Sequence, residues 1–258
     1  MLQQERLHRI QALLKQFQSV TTDRIVNELD ISRETARRDI IELEILGAAR
    51  RVHGGIVAVD SNVIEAPLHI RNTLMAKEKR LIARAAIQYL HAGQTIFIDA
   101  GSTTSILAEE LRSLSGLTII TNSLQAVLNL TVARESEPLN HEVILLGGRV
   151  QQRPHTQGDL VIQEISRYRA DAALLSPVGI DPLQGATSFY SEEAYIAQMM
   201  VQQSKQLMIL ADHSKLNVVS RVQYAKSHEI TSLITNSKAE QEINFADYKK
   251  HMKQIVFA

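Results

Sequence analysis

Residues 32–55 read Ser-Arg-Glu-Thr-Ala-Arg-Arg-Asp-Ile-Ile-Glu-Leu-Glu-Ile-Leu-Gly-Ala-Ala-Arg-Arg-Val-His-Gly-Gly, and this stretch decides how the N-terminal part folds. Ser32 offers the side-chain oxygen wanted at a helix N-cap, with Thr35 three residues on, where the first turn still has unpaired amides. Ala36, Ile40, Leu43 and Leu46 then recur at spacings of three and four, which makes one apolar stripe. The opposite face is left to Arg33, Glu34, Arg37 and Arg38. Upstream, Leu7, Ile10, Leu14 and Phe17 form one helical stripe, and Ile25, Val26 and Leu29 a shorter one. Only Asp30, Ile31 and Ser32 separate the second helix from the third. So short a link turns two helices sharply, as in a helix-turn-helix whose second helix enters the major groove.

Downstream, Gly47 suits a C-cap. Ala49 to Val52 and Ile56 to Val59 read as two short strands around His53-Gly54-Gly55, a hairpin tipped by cations. Candidate DNA-contacting residues are therefore Thr22, Ser32, Arg33, Thr35, Arg37, Arg38, Arg50, Arg51 and His53. Arginines on such a face bind guanine edges bidentately or pair with phosphates, and both roles stay open here. A merely solvated charge cluster does not account for the helix order, the cap and the wing together. Residues 1–55 carry nine Lys or Arg against eight Asp or Glu, so affinity must come from a focused patch helped by dimerisation.

The chain has 258 residues, a formal net charge of zero and 45% apolar residues, enough for one small and one medium domain with a substantial core. Neutrality argues against general coating of polyanions. With 4% aromatic residues and no Trp there is no stacking platform for single strands, so the nucleic acid partner is expected to be double-stranded operator DNA. The absence of Cys removes disulfides, thiolate metal sites and cysteine nucleophiles. Met1-Leu2-Gln3-Gln4-Glu5-Arg6 lacks the pattern of a signal peptide, and no apolar run approaches the ~20 residues of a membrane span. A cytoplasmic protein with no membrane partner is expected.

Asp60 to Ala76 is polar and contains Pro67, which suits a connection between domains. The expected division is a winged helix-turn-helix over residues 1–58, a linker over 59–76, and an effector-binding and oligomerisation domain over 77–258. In that last part, helices alternate with short apolar strands at Thr95–Ile98, Leu117–Ile120, Val143–Leu146, Ala172–Leu175, Leu207–Ala211, Ile230–Ile234 and Gln254–Phe257. Uninterrupted apolar strands between helices predict an α/β domain with a mainly parallel sheet.

Ligands of such sheets sit at the carboxyl ends of the strands. The first strand runs into Asp99-Ala100-Gly101-Ser102-Thr103-Thr104 and a helix, a turn whose amides, hydroxyls and helix dipole suit a phosphate. Later strands end in Thr121-Asn122-Ser123, Gly147-Gly148, Ser176-Pro177-Val178-Gly179-Ile180-Asp181 and Asp212-His213-Ser214-Lys215. Each alone reads equally as a cap or a turn, but their common position predicts one cleft. Its candidate residues are Asp99, Gly101, Ser102, Thr103, Thr104, Asn122, Ser123, Gly148, Gly179, Asp181 and Lys215. No catalytic residue, metal ligand or cofactor is expected.

The N-terminal module resembles that of DeoR-type bacterial transcription regulators at Thr35, Arg37, Arg38, Asp39, Leu43, Gly47, Arg51, His53, Gly54 and Gly55. It departs at Ala36 and Ala49, where that family has larger aliphatic residues. Lys79, Ile82, Asp99, Gly101, Thr103, Thr104, Thr121, Asn122, Gly147, Gly148, Gly158, Asp171, Gly179, Asp212, Ser214 and Lys215 match the family's sugar-binding domain, itself similar to ribose-5-phosphate isomerase. Asn236 stands where that family has Asp and receives no role.

The resemblance implies a repressor of a carbohydrate uptake or catabolism operon, released by a phosphorylated sugar, polyol or sugar acid and acting as a homodimer or homotetramer. An isomerase needs a positioned carboxylate to move the proton. Val178 stands in the comparable position and has none, while Glu192 and Glu193 begin a helix, where negative charge is favoured structurally. Three classes are thus weighed: regulator, isomerase-like enzyme, and a metabolite sensor or structural DNA-binding protein that lacks the coupling.

Overall fold

A computed structural model describes residues 3–17, 19–45, 48–52, 54–58, 68–131 and 140–258. Leu46, Gly47, His53 and residues 59–67 lie outside the described residues, and with them the expected C-cap, the wing histidine and most of the linker. Contacts divide the chain into two units, Met1–Ile70 and Arg71–Ala258.

The first unit runs α1 (Gln3–Phe17), β1 (Ser19–Thr21), α2 (Thr22–Leu29), α3 (Arg33–Ile45), β2 (Ala49–Val52) and β3 (Gly55–Ala58). The expected α3 cap is present: Ser32 Oγ accepts from Thr35 N at 3.1 Å and lies 2.8 Å from Thr35 Oγ1. The strands form an antiparallel sheet in the order β1-β3-β2. Strand β1, three residues long, was not legible because so short a run shows no alternation. Ile10, Leu14, Ile25, Leu29, Ala36, Ile40 and Leu43 meet in one core, joined by Ala49 and Ile56. Ala36 and Ala49 are both buried, so the small side chains stand where the helix and the wing close on that core.

Asp39 is buried on the same helix and would cost several kcal/mol unpaired. Arg6 answers it with two bonds, Nε to Oδ2 at 2.6 Å and Nη2 to Oδ1 at 3.0 Å. The carboxylate in turn holds the Arg6 guanidinium above its usual range.

The division between units falls inside α4 (Leu68–Thr73). Then come α5 (Ala76–Ile87), β4 (Thr95–Ile98), α6 (Ser102–Leu111), β5 (Thr118–Thr121), α7 (Leu124–Thr131), β6 (Glu142–Leu145), β7 (Arg149–Val150), β8 (Thr156–Gln157), α8 (Asp159–Ile165) and β9 (Ala170–Leu175). The remainder is β10 (Gly179–Asp181), β11 (Gly185–Ser188), α9 (Ser191–Gln202), β12 (Ser204–Leu210), β13 (Val222–Ala225), β14 (Ser232–Thr235), α10 (Ser237–Glu242), α11 (Ala246–His251) and β15 (Gln254–Phe257). Every strand read from the sequence is present, shifted by one to three residues or not at all.

Seven strands form a wholly parallel sheet in the order β15-β14-β12-β9-β4-β5-β6. Its central strands alternate between two cores. Phe97, Ala173, Leu175, Leu207 and Ile209 face one side, packed on α8, α9 and α11. Ile96, Ile98, Ala172, Leu174, Met208 and Leu210 face the other, packed on α5, α6 and α7. Burial on both faces is why these strands read as continuous apolar runs. Two antiparallel additions were not foreseen: a sheet β10-β11-β13 and the hairpin β7-β8. Among the described residues no helix is long and apolar enough to cross a membrane.

Candidate DNA-reading face and effector site

In the first unit, α3, the start of α2 and the wing border a concavity of about 820 Å³ lined by Thr22, Arg33, Arg37, Arg51, Val52 and Gly54 among others. Thr22 N donates to Gly54 O at 2.9 Å and so ties the second helix to the wing turn. The arginines differ in their engagement. Arg33 pairs with Asp23 at 2.9 Å, Arg38 with Glu34 at 3.4 Å and Arg51 with Glu44 at 3.8 Å, all exposed pairs. Arg37 is exposed and has no ion pair among the described residues. Thr35 and Ser32 spend their hydroxyls on the cap. Arg50 lies in β2, its side chain outside the described ones.

In the second unit the strand order puts β4 beside β9 at the point where the chain turns from building one half of the sheet to the other. Crevices form at such switch points. Asp99 follows β4 and Ser176 follows β9. Asp99 Oδ1 accepts from Thr104 Oγ1 at 2.7 Å and from Gly101 N at 3.1 Å, while Oδ2 accepts from Ser176 N at 2.8 Å. The two strand ends are so close that a Cβ on Gly101 would lie 2.7 Å from Ser176 Cβ. Burial pushes the Asp99 carboxyl up from 3.8 to about 6, against the opposing pull of these hydrogen bonds and of Arg71.

Helix α6 starts at Gly101 with no side-chain cap, which leaves its first amides open. Thr104 is turned inward, its hydroxyl also near Asp99 O and Gly101 O. The hydroxyls of Ser102 and Thr103 make no hydrogen bond among the described residues. Asn122, after β5, donates from Nδ2 to Thr156 O at 3.0 Å, and its buried Oδ1 has no partner among the described residues. Ser123 caps α7, its Oγ accepting from Ala126 N at 3.1 Å.

The remaining candidates are not bonded to this group. Gly148 opens the β7-β8 hairpin against Val161. Gly179 sits in β10, where a Cβ would lie 2.4 Å from Val218 O. Asp181 ends the same strand and uses Oδ1 to accept from Leu183 N and Gln184 N, which closes the turn into β11. Lys215 ends the 3-10 turn His213–Lys215 after β12, half-buried and without an ion pair among the described residues. Asn236 Oδ1 accepts from His213 N at 2.8 Å and so steadies that turn.

Arg71, Lys79 and Tyr224 were given no place in the cleft by the sequence reading, although Lys79 is among the residues that match the family's sugar-binding domain. Arg71 is close enough to lower the pKa of Asp99, and the buried Lys79 Nζ donates to Arg71 O at 2.6 Å. A lysine on the apolar face of α5 was the available signal, since a buried ammonium demands an acceptor. Tyr224 is buried with its hydroxyl unpartnered among the described residues, and burial, then the charge of Asp99, raises its pKa well above the usual range. A tyrosine in a short antiparallel strand carried no local mark of this.

Comparison with known proteins places both units. The profile of the DeoR-like helix-turn-helix domain matches residues 6–62, and that of the DeoR C terminal sensor domain matches residues 74–237. The HTH-type transcriptional repressor GlcR of Bacillus subtilis (strain 168) is 36% identical over 242 residues, 93% of this chain and 91% of that protein. The glycerol-3-phosphate regulon repressor of Escherichia coli (strain K12) is 30% identical over 238 residues, 92% of each. Among solved structures, a D-ribose-5-phosphate isomerase in complex with phospho-erythronic acid aligns over 55% of this chain and 54% of its own, with 16% identity and a TM-score of 0.40.

Proposed function

The chain belongs to the DeoR family, whose helix-turn-helix and sensor domains it carries, and from that premise we propose that it is a ligand-responsive repressor of a carbohydrate uptake or catabolism operon. Residues 1–58 bind double-stranded operator DNA in the cytoplasm, residues 59–76 connect, and residues 77–258 bind the effector and form a homodimer or homotetramer. The observation that carries the DNA half is the exposed Arg37, without an ion pair among the described residues, on a capped helix that opens beside a wing.

The effector is a phosphorylated sugar, polyol or sugar acid. Its phosphate meets the open amides of α6 with the hydroxyls of Ser102 and Thr103, and Lys215 adds a cation. Thr104 contributes its amide alone, because its hydroxyl belongs to Asp99. Asn122 and Asp99 suit sugar hydroxyls, and Gly148, Gly179, Ser123 and Asp181 shape the loops around them. The effector must bind the DNA-free arrangement better than the DNA-bound one, since only differential affinity shifts an equilibrium. The relative named as a glycerol-3-phosphate regulon repressor supports this reading.

The chain is not an enzyme in this reading. Glu193, the better enclosed of the two carboxylates at the start of α9, is engaged by Arg153 at 2.8 Å, so its oxygen is committed to a structural pair. A mobility-shift assay with and without sugar phosphates tests the whole. DNA binding that answers to ligand selects the regulator, and ligand turnover without DNA binding selects the enzyme.

A further inference from the structure

Tyr224 lies in β13, whose ladder with β11 pairs Ala186 with Ala225 and Thr187 with Gln223. One step along β11 therefore spans two along β13, and Tyr224 is the extra residue of a bulge. Bulges re-aim a side chain and recur beside functional sites. Here Gln223 stays exposed, while Tyr224 turns inward to 4% exposure. Its side chain joins the core that also holds Phe97, Leu175 and Ala211, near the carboxyl ends of β4, β9 and β12. Thr187, beside the bulge, accepts from Val178 N at 3.0 Å and donates its hydroxyl to Gly179 O at 2.9 Å. Val178 and Gly179 follow Ser176, so the bulge is tied to the segment whose Ser176 amide holds Asp99.

The Tyr224 hydroxyl is buried and has no hydrogen-bond partner among the described residues. Leaving a buried phenol unpaired costs roughly what a lost hydrogen bond costs, and a ligand oxygen beside it removes that cost. Burial, then the charge of Asp99, keeps the phenol protonated at neutral pH, so it can both donate and accept.

Asp99 has the matching capacity. Its Oδ1 already takes two hydrogen bonds, from Thr104 and Gly101, while Oδ2 takes one, from Ser176, and a carboxylate oxygen can accept two. The group that suits a carboxylate with capacity to accept and a phenol with a proton to give is a hydroxyl, which donates to the first and accepts from the second. A carbonyl or carboxylate oxygen can only accept.

We propose that Tyr224 is a specificity-determining residue of the effector site, its hydroxyl binding, together with Asp99 Oδ2, one hydroxyl of the effector. The inference rests on the reading of the Asp99 turn as part of that site. Calorimetry and thermal denaturation of the full chain compare wild type with Tyr224→Phe, which keeps the ring and removes only the oxygen. The probes are glucose 6-phosphate, fructose 6-phosphate, ribose 5-phosphate, glycerol 3-phosphate and inorganic phosphate. The organic probe that wild type binds most tightly should bind the variant about two- to tenfold more weakly, as expected for one hydrogen bond. Inorganic phosphate affinity should not change, and Tm should hold or rise because an unpaired buried group is gone. A loss of less than twofold for that organic probe overturns the proposal and leaves the effector reading standing. A fall in Tm with an equal loss for inorganic phosphate also overturns it, since that is the signature of a hydroxyl made structural by an ordered water. If wild type binds no organic probe, the effector reading fails and the proposal falls with it.

Discussion

Replacing Arg37 with Ala should be the most damaging single change on the DNA-reading face. Arg37 is exposed, lies off the stripe formed by Ala36, Ile40 and Leu43, and has no ion pair among the described residues to give up when it reaches for DNA. A bidentate contact with a guanine edge is worth about 1–3 kcal/mol, so each recognition helix should lose about 5- to 150-fold in affinity. Arg38 and Arg33 must first leave Glu34 and Asp23. Exposed pairs contribute about 0.2–1 kcal/mol, so for equal contacts their replacement by Ala costs correspondingly less. Ala is a better helix former than Arg, and Tm should not fall. The assay is fluorescence anisotropy at fixed salt, on a duplex selected by the wild-type protein from a randomised pool and on a scrambled control. Operator affinity within twofold of wild type for Arg37→Ala, with Tm intact, would refute the assignment of this helix.

Four further outcomes are expected. Thr103→Ala and Lys215→Ala should leave DNA affinity intact while raising the effector concentration needed for release; calorimetry in which Thr103→Ala separates a sugar phosphate from the free sugar as well as wild type does would return the turn to an ordinary helix start. Asp99 has a folded-state pKa raised from 3.8 to about 6, so the folded protein holds its proton more tightly than the unfolded chain. Its contribution to stability therefore falls as pH rises from about 4 to about 6 and stays low above that; denaturation of wild type and Asp99→Asn across this window should show the difference moving in the variant's favour, and a flat difference would refute it. Gly179→Ala would drive a Cβ to 2.4 Å from Val218 O and should cost about 1–3 kcal/mol, read as a lower Tm, with an unchanged Tm counting against the close approach. A fragment of residues 77–258 should sediment as a dimer or larger, and a strictly monomeric fragment would sink the assignment of assembly to that segment.

Features that neighbours along the chain decide are readable from the residues alone. Ser32 caps α3 because its own hydroxyl reaches an amide three residues on, and the stripe of Ala36, Ile40 and Leu43 follows from helical period alone. The strands were legible as apolar runs because burial on both faces removes polar residues from all of them, and the turns after them because Gly and hydroxyl residues mark a chain reversal into a helix. Strands as short as β1, β7 and β10 left no such mark.

Tertiary structure decided the rest, because parallel pairing is made by backbone groups that carry no residue code. The order β9-β4-β5 seats Ser176 against Asp99, 77 residues away, and its amide joins Thr104 and Gly101 in opposing the rise in pKa that burial of the carboxylate causes. It also commits Thr104 inward and leaves Ser102 and Thr103 open, a division that adjacent hydroxyls in a sequence do not reveal. Arg6 finding Asp39 and the β7-β8 hairpin meeting α9 have the same cause: long side chains pair with whatever the packed backbone brings within a few ångströms, and only the folded chain specifies what that is.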